Sequence, residues 1–382
     1  MSFHNLQNMI DKGLTWLTAS GIQNTTDDEV KGGYSAWYDV NKRDYAFIYS
    51  EITGYALNLL IAYAKIKKSD KITESIHLAS NFLTEIAFDK SYKAIRCRYE
   101  PGKGWLENFC TFDNAIVANA LINKYKFDSD PHALTIAKEI IETLMTKLSF
   151  ENSCYARYIK NEDRFQNDKI KWSTCFGSFH AKLAIPLYNI YSLTKDKKYL
   201  VFIESLLNKT KAFQVPQGKF ITSERNKTTF LHPHFYTVEG YIAANKILGQ
   251  EYHSELINKS LSWASKLRLR EGGICGFVGH NKNIDLDSPD INSQFLRCLI
   301  LSNNESLFDT NHLVSRILSY QQKNKNCSEI DGGFKIGDIW FLDHEKLIMR
   351  EKKNHINTWA TIFALNALYY VTTENRDPFT LC

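Results

Sequence analysis

Acidic and histidine residues recur in this chain at the starts of apolar segments, where they could take part in acid–base chemistry. Glu51 and Asp113 stand near the starts of YSEITGYALNLLIAYA and TFDNAIVANALINKY. His232, His234 and Glu239 fall within a third segment, HPHFYTVEGY. Carboxyl and imidazole groups are common general acids and bases of enzymes. These residues are therefore the first candidates for a catalytic site.

The second half of the sequence adds further polar residues in the same kind of position. Asp290 and Asn292 open PDINSQFLRCLIL, while His355, Asn357 and Trp359 open HINTWATIFALNALYY. Asp and Asn are also preferred helix N-caps, because their side chains accept hydrogen bonds from free backbone N–H groups. Each of these residues therefore has a structural explanation beside a functional one.

These segment starts recur at nearly constant spacing. They are separated by 62, 61, 60, 56 and 67 residues, at Glu51, Asp113, Thr174, His234, Asp290 and Asn357. The segments are apolar on nearly all faces, which is typical of buried helices. Amphipathic helical patterns lie between them, at Asp70–Ile86, Pro131–Leu148, Lys197–Leu207, His253–Leu267 and Asn311–Tyr320.

A repeated pair of one amphipathic and one buried helix predicts an all-α fold of six helical hairpins. A single hairpin cannot bury its apolar face alone, so closing the hairpins into a ring would supply the core. We therefore expect an (α/α)6 toroid that forms one domain over residues 1–382.

In such a ring the inner helices are parallel, so their first turns share one rim around a central cavity. The loops before them are rich in glycine and aromatic residues, including Trp37, Tyr38, Tyr99, Trp105, Phe277, Trp340 and Phe341. These aromatic residues could simply pack against the core, but aromatic rings beside acids and amides also suit a sugar. We predict catalytic roles for Glu51, Asp113, His234 and His355. We predict substrate binding by Trp37, Tyr49, Trp105, His232, Glu239, Asp290, Asn292, Asn357 and Trp359.

The six helical segments with polar starts resemble the six-hairpin glycosidase-like superfamily of (α/α)6 toroids. Within it, Glu51 in YSEITGYA and Asp113 in TFDNAIVANAL are similar to the two acids of unsaturated glucuronyl hydrolases. The resemblance implies that Asp113 is the general acid/base and Glu51 the second carboxylate. This sequence has HPHFYTVEGY where that family has Arg-Gly-Gln-Ala-Trp.

Two other toroid families offer alternatives. His234 with Glu239, together with His355, resembles the N-acylglucosamine 2-epimerases, which implies proton exchange at a sugar carbon between two histidines. Asp290, Asn292 and His355 are similar in spacing to the zinc ligands of protein prenyltransferase β-subunits. Asn replaces the family's Cys here and is a poor zinc ligand, so we expect no metal.

Composition excludes several classes of function. The net charge of +5 over 382 residues does not indicate a nucleic-acid surface. No apolar stretch reaches the ~18 residues of a membrane span, and no signal peptide is recognisable. The eight cysteines show no CxxC spacing, which favours free thiols in a reducing cytoplasm. The Lys- and Asn-rich composition is typical of an AT-rich bacterial genome.

Three hypotheses follow from the sequence. The favoured one is a cytoplasmic carbohydrate-active enzyme without a cofactor that acts on a mono- or oligosaccharide, such as one containing a uronate or an aminosugar. Hydrolysis is its favoured reaction, with epimerisation or elimination as alternatives. The others are a prenyltransferase- or terpene-cyclase-like toroid and a non-catalytic toroid that binds a glycan or a protein. The sequence makes no prediction of the oligomeric state.

Overall fold

A computed structural model describes residues 3–151, 153–169, 171–224, 227–249, 251–279, 283–337, 339–343, 346–351 and 354–380. Within these ranges, α-helices alternate between an outer and an inner layer. The outer helices are α1 (Phe3–Ala19), α3 (Asp70–Asn81), α5 (Pro131–Thr146), α7 (Lys198–Thr210), α9 (Glu251–Ala264) and α11 (Thr310–Leu318). The inner helices are α2 (Ser50–Ala64), α4 (Thr111–Asp128), α6 (Ala184–Thr194), α8 (Leu231–Leu248), α10 (Pro289–Leu301) and α12 (Thr358–Thr372).

The inner helices form a closed ring. Each packs against the next in chain order, and α12 packs against α2. On the outside, α1 packs against both α12 and α3, so the first outer helix lies across the place where the ring closes. The predicted all-α (α/α)6 toroid is confirmed.

Burial follows the hydrophobic pattern of the two helix classes. In α4 every residue from Thr111 to Lys124 is buried, as expected for a helix surrounded by other helices. In α3 only one stripe is buried, containing Ile72, Ser75, Ile76 and Ala79. This spacing of three and four residues covers one face of a helix. The other face of α3 points to solvent.

The third inner helix begins later than the sequence pattern indicated. The repeat predicted a start near Thr174, whereas α6 begins at Ala184, after 3-10 helices at Trp172–Thr174 and Ser178–Leu183. Pro186 explains the late start, because proline lacks an N–H and is tolerated only in the first turn of an α-helix. The remaining short helices are 3-10 turns at Lys160–Glu162, Lys211–Phe213, Ser265–Leu267 and Glu305–Leu307, and a π-turn at Phe82–Ile86.

The loops that lead into the inner helices contain short antiparallel strands. The first nine are β1 (Trp37–Asp39), β2 (Asp44–Tyr45), β3 (Ile48–Tyr49), β4 (Phe88–Asp89), β5 (Ala94–Ile95), β6 (Arg98–Glu100), β7 (Gly104–Leu106), β8 (Asn108–Cys110) and β9 (Ser149–Phe150). The others are β10 (Ser153–Cys154), β11 (Arg157–Ile159), β12 (Arg164–Gln166), β13 (Thr229–Phe230), β14 (Phe277–Val278), β15 (Asn283–Ile284), β16 (Ile339–Asp343), β17 (Lys346–Glu351) and β18 (His355–Asn357).

These strands pair across neighbouring repeats and fix the loops at the rim. β3 pairs with β6, and β8 pairs with β11. β1 pairs with β18, which joins the first repeat to the last. The rim is therefore a set of small sheets that hold the first turns of the inner helices in place.

The final residues contact the other ends of the inner helices. The carbonyl oxygen of Phe379 accepts hydrogen bonds from Asn123 in α4 and Asn189 in α6, at 3.2 and 3.5 Å. Tyr370 in α12 donates to the Asp377 carbonyl at 2.8 Å. In the part of the chain that the structure describes, no helix combines the length and apolar character needed to cross a membrane.

Candidate active site

A cavity of about 390 Å³ opens at the rim where the inner helices begin. This volume is within the range typical of small-molecule pockets. First turns of α2, α4, α8 and α12 contribute to its wall, together with the 3-10 segment before α6. The lining residues are Phe47, Tyr49, Glu51, Cys97, Arg98, Leu106, Asn108, Cys110, Phe112, Asp113, Ala156, Arg157, Trp172, Ser173, Thr174, Phe179, His180, His232, Tyr236 and Trp359.

Two carboxyl groups from consecutive inner helices meet in this cavity. Glu51 lies in the first turn of α2 and Asp113 in the first turn of α4, and their exposed fractions are 6% and 5%. The Tyr49 hydroxyl donates a hydrogen bond to Asp113 Oδ2 at 3.0 Å. The sequence repeat predicted both acids at this rim.

The surroundings of the two carboxyls favour their protonated forms. Burial, and then the charge of Asp113, raise the pKa of Glu51 well above its ordinary value, although Lys182 and Trp359 act in the opposite direction. Burial also raises the pKa of Asp113 to about 6, against the hydrogen bond from Tyr49. A carboxyl group that keeps a proton near neutral pH can serve as a general acid.

Two histidines also line the cavity, in different surroundings. His232 Nδ1, at the start of α8, lies 3.1 Å from Asp290 Oδ2, at the start of α10. His180 Nδ1 accepts a hydrogen bond from the Gly177 N–H at 3.2 Å, and burial lowers the pKa of His180 to about 3. His180 is therefore neutral, while His232 has an acidic partner.

Sequence reasoning missed His180 because the third repeat was assigned the wrong start. With α6 beginning at Ala184, residues just before it, His180 among them, line the cavity together with Thr174. Pro186 was the available signal for this shift, since it restricts where an α-helix can start.

Two arginines that were not predicted complete the cavity. Arg98 in β6 extends over the Phe47 ring, with its Cζ atom 4.5 Å from the ring centroid, and pairs with Glu100. Arg157 in β11 lies directly opposite Cys110 of β8. Both come from the polar loop sequences RCRYEPGKGW and SCYARYIK before inner helices. Such loop arginines are common on surfaces, so only tertiary structure places these two in the site.

Several predicted catalytic or rim residues are not among those lining this cavity. His234 is buried, accepts a hydrogen bond from the Phe220 N–H at 3.2 Å, and has a pKa lowered to about 3 by burial. His355 Nε2 lies 3.5 Å from Asp39 Oδ2, and its ring stacks on Trp37 at 4.8 Å. Trp105 stacks on Phe82. These positions indicate packing roles.

Three other predicted binding residues have structural partners. Glu239 forms buried ion pairs with Lys182, at 2.8 Å, and with Arg297. Asn292 Oδ1 accepts a hydrogen bond from the Ile274 N–H at 3.0 Å. Asn357 caps α12 by accepting from the Ala360 N–H.

The residues that resemble prenyltransferase zinc ligands, Asp290, Asn292 and His355, thus each have a different partner. The side chains of Trp340 and Phe341, and residue Cys382, lie outside the described part of the chain.

Three solved structures with the same architecture carry the names of sugar-processing enzymes. A sugar epimerase from a ruminal bacterium matches with a TM-score of 0.75 at 13% identity, covering 96% of this chain and 99% of that one. Cellobiose 2-epimerase from Bacillus thermoamylovorans matches with a TM-score of 0.75 at 16% identity, covering 96% and 98%. Unsaturated glucuronyl hydrolase from Streptococcus agalactiae matches with a TM-score of 0.65 at 11% identity, covering 98% and 93%.

The chain therefore has the (α/α)6 toroid fold of these proteins. The architecture that the sequence resemblance implied is confirmed over nearly the whole length. No protein-family model and no curated protein matches the sequence. At these identities the structural matches concern the fold alone, so the reaction of this toroid must be argued from its own cavity.

Proposed function

We propose that this protein is a carbohydrate-active enzyme that hydrolyses a mono- or oligosaccharide. Asp113 acts as general acid/base and Glu51 as the second carboxylate. The observation that carries the proposal is the meeting of these two buried carboxyls, from consecutive inner helices, in one cavity. Glycosidases typically use such a pair on either side of the scissile bond.

The remaining cavity wall supports a sugar as the ligand. Trp172, Tyr236 and Trp359 offer aromatic rings, and the C–H faces of sugar rings pack against such surfaces. Asn108 and the hydroxyls of Ser173 and Thr174 offer both donors and acceptors for sugar hydroxyls.

The two arginines favour a substrate with an acidic group. Arg98 and Arg157 line the same cavity as the carboxyl pair. A guanidinium group binds a carboxylate through two parallel hydrogen bonds. A uronate-containing sugar would therefore be bound better than its neutral counterpart, with its carboxylate at these arginines.

Because the charge of Asp113 raises the pKa of Glu51, the carboxyl pair readily holds one proton, and in the proposed reaction Asp113 donates this proton to the leaving glycosidic oxygen while Glu51 is ionised. The ionised partner stabilises positive charge at the anomeric carbon and either attacks that carbon or removes a proton from water. Tyr49 holds Asp113 in position through its hydrogen bond to Oδ2. Burial of both acids keeps bulk water from competing for these hydrogen bonds.

A second candidate is epimerisation, which the His232–Asp290 pair favours. An imidazole held 3.1 Å from a carboxylate is suited to remove a proton from a sugar carbon. The histidine pair expected from the sequence, His234 and His355, does not line the cavity. His232 would have to take that role here, with Glu51 or Asp113 returning the proton.

Product analysis tests and separates these two reactions. The protein is incubated with a panel of uronate-containing, aminosugar and neutral oligosaccharides, and products are identified by chromatography and NMR. We expect cleavage of at least one acidic oligosaccharide, with Asp113→Asn and Glu51→Gln each reducing kcat by about 10²-fold or more. Asp28→Asn, which changes a fully exposed acid, is the matched control and should keep wild-type activity.

The outcomes assign the reaction. A product of unchanged length but altered configuration, lost in His232→Ala, would replace hydrolysis by epimerisation. Saturable binding of a sugar without any product from the panel would show that the protein binds sugars but does not turn them over. Unchanged turnover in Asp113→Asn would rule out Asp113 as the general acid/base.

A further inference from the structure

Two thiols and a carboxylate converge in the wall of the cavity. The ligand atoms of Cys97, Cys110 and Asp113 all lie within 4.8 Å of one another. Cys97 and Asp113 are buried, Cys110 is partly exposed, and all three line the cavity. Both cysteine side chains hydrogen-bond to Asp113, and neither thiol takes part in a chemical step of the proposed hydrolysis.

The backbone fixes the three positions independently of any ligand. The Cys97 N–H donates to the Asn108 carbonyl at 2.9 Å, and the Cys97 carbonyl accepts from the Ser50 N–H at 3.1 Å. Cys110 ends β8 and is the N-cap residue of α4, and Asp113 follows three residues later in the first turn. Backbone hydrogen bonds therefore fix the position of Cys97, and strand β8 and the first turn of α4 fix the positions of Cys110 and Asp113.

This donor set matches the preferences of zinc. Zn²⁺ binds cysteine sulfur at about 2.3 Å and carboxylate oxygen at about 2.0–2.2 Å in tetrahedral sites. Ligand atoms around such an ion are about 3.5–3.8 Å apart, so the present cluster needs only small side-chain rotations to close around it. Hard cations such as Mg²⁺ prefer oxygen ligands and are disfavoured by two thiols.

The residues around the cluster suit the charge and the geometry of a bound zinc ion. Two thiolates and a carboxylate around Zn²⁺ leave one net negative charge, and Arg157 stands opposite Cys110 in the β8–β11 pair. The Tyr49 hydroxyl holds Asp113 from outside the cluster, as hydrogen bonds commonly do for metal ligands. Three protein ligands leave a fourth position, which faces the cavity because all three residues line it.

We propose that Cys97, Cys110 and Asp113 form a binding site for Zn²⁺, and that zinc bound there inhibits the enzyme. Binding displaces the two thiol protons to solvent, together with the proton of Asp113 when that carboxyl carries one, and occupies the Asp113 carboxylate. The inhibitory part rests on the proposed function, since Asp113 can transfer no proton while it is a metal ligand. The binding part does not depend on the reaction.

Metal binding is measured first, without substrate. The full-length protein is reduced, treated with a chelator and desalted, and then titrated with Zn²⁺ against a chromophoric chelator. Co²⁺ serves as a second probe, because sulfur ligation gives it a characteristic charge-transfer band. We expect one Zn²⁺ per chain and a sulfur-to-cobalt band.

Variants locate the site. Cys97→Ser and Cys110→Ser should each weaken zinc binding by about 10²-fold and remove most of the cobalt band, with folding checked by circular dichroism. Cys327→Ser alters a free thiol of the loop before β16 and should bind zinc like the wild type. Failure of the wild type to bind zinc saturably, or equal binding in folded Cys97→Ser, overturns the site.

Activity is then compared with and without zinc for each variant. We expect inhibition that a chelator reverses in the wild type and in Cys327→Ser, and no inhibition in Cys97→Ser, whatever its basal rate. If chelation abolishes wild-type activity instead, inhibition is overturned together with the proton-transfer role of Asp113, although the zinc site itself is upheld. If zinc binds but no sugar is turned over, only the proposed function fails.

Discussion

His232 and His234 are separated by one proline at the start of α8, yet their side chains have different surroundings. His232 faces the cavity beside Asp290. His234 points into the core, where its ring packs against Phe235 and Trp263 and accepts a backbone hydrogen bond. The sequence favoured His234 as the catalytic residue, because it lies in register with the other repeats.

We predict opposite effects when these two histidines are replaced. His234→Ala removes the acceptor for a buried N–H and leaves a cavity, so it should lower the free energy of unfolding by about 2–4 kcal/mol. Its folded fraction should keep wild-type kcat. His232→Ala should lose at least about tenfold in kcat/KM, since it removes a side chain that lines the proposed substrate cavity.

Urea denaturation and steady-state kinetics on both variants check this contrast, and each variant is the control for the other. Loss of activity in His234→Ala with unchanged stability would reverse the assignment.

At the residue scale, the sequence pattern indicated which side chains lie at the rim where position in the repeat was decisive. Glu51, Asp113, Tyr49, His232 and Trp359 all line the cavity because they precede or open inner helices. The pattern could not show which way a side chain turns within a first turn, and this separates His232 from His234. Arg157 and Cys97 come from loops, where no period indicates orientation.

At the scale of elements, a buried charge cluster joins the inner helices below the cavity. Glu239 of α8 pairs with Arg297 of α10 and with Lys182 of the 3-10 segment before α6. All three side chains are at most 4% exposed. Although burial opposes ionisation, the charges of Arg297 and Lys182 hold the pKa of Glu239 below its ordinary value.

We predict that Glu239→Gln destabilises the protein by about 3–5 kcal/mol, because it leaves two buried cations without their counter-charge. Glu255→Gln, which removes an exposed pair with Lys259 in α9, is the control and should change stability little.

The same carboxylate predicts a pH dependence. Since the pKa of Glu239 is depressed in the folded state, its contribution is present above the unfolded value of about 4.3 and is lost as the pH falls through the folded pKa. Chemical denaturation at pH values from about 3 to 7 should show that Glu239→Gln loses less stability than the wild type as the pH falls. Equal acid sensitivity would contradict this account.

Close helix packing gives a second test at this scale. A Cβ atom on Gly240 of α8 would lie 2.3 Å from the Ala181 carbonyl carbon, whereas one on Gly54 of α2 would first meet Val117 Cγ2 at 3.2 Å. Gly240→Ala should therefore destabilise by about 1–3 kcal/mol or more, because backbone must move. Gly54→Ala should be far milder, since alanine is the better helix former.

Thermal unfolding of the two glycine variants measures the difference. Similar melting temperatures for both would show that α8 and the 3-10 segment can move apart without cost.

The sequence predicted helices more reliably than strands, because the helices have longer hydrophobic patterns. The inner helices are recognised by long apolar runs and the outer helices by a helical period of apolar residues, and outer helices such as α5 begin where the sequence indicated. The strands have two to six residues, too few for an alternating pattern to be recognised. They are held by pairing across repeats, as in β3 with β6, which no local pattern contains.

For the whole molecule, stability depends on the ring being closed. α12 covers faces of both α2 and α10, and β18 pairs with β1 of the first repeat. Hairpins in an open array each lack one neighbour at the ends, whereas a closed ring leaves no inner helix with an uncovered side. We therefore expect cooperative unfolding to depend on whether the ring of inner helices is closed, and not on the order of the hairpins along the chain.

A shortened chain and a circular permutant test whether stability depends on closing the ring. A chain ending at Leu301 lacks α11 and α12 and exposes the apolar faces of α2 and α10 that α12 covers. It should lose cooperative unfolding and bind a hydrophobic dye. A circular permutant beginning at the exposed Lys68, with the original ends joined by a flexible linker of about 20 residues, keeps all inner-helix contacts. It should unfold in a single transition in calorimetry, because every neighbour in the ring is retained. Cooperative unfolding of the shortened chain would show that five hairpins suffice and that ring closure adds no essential stability.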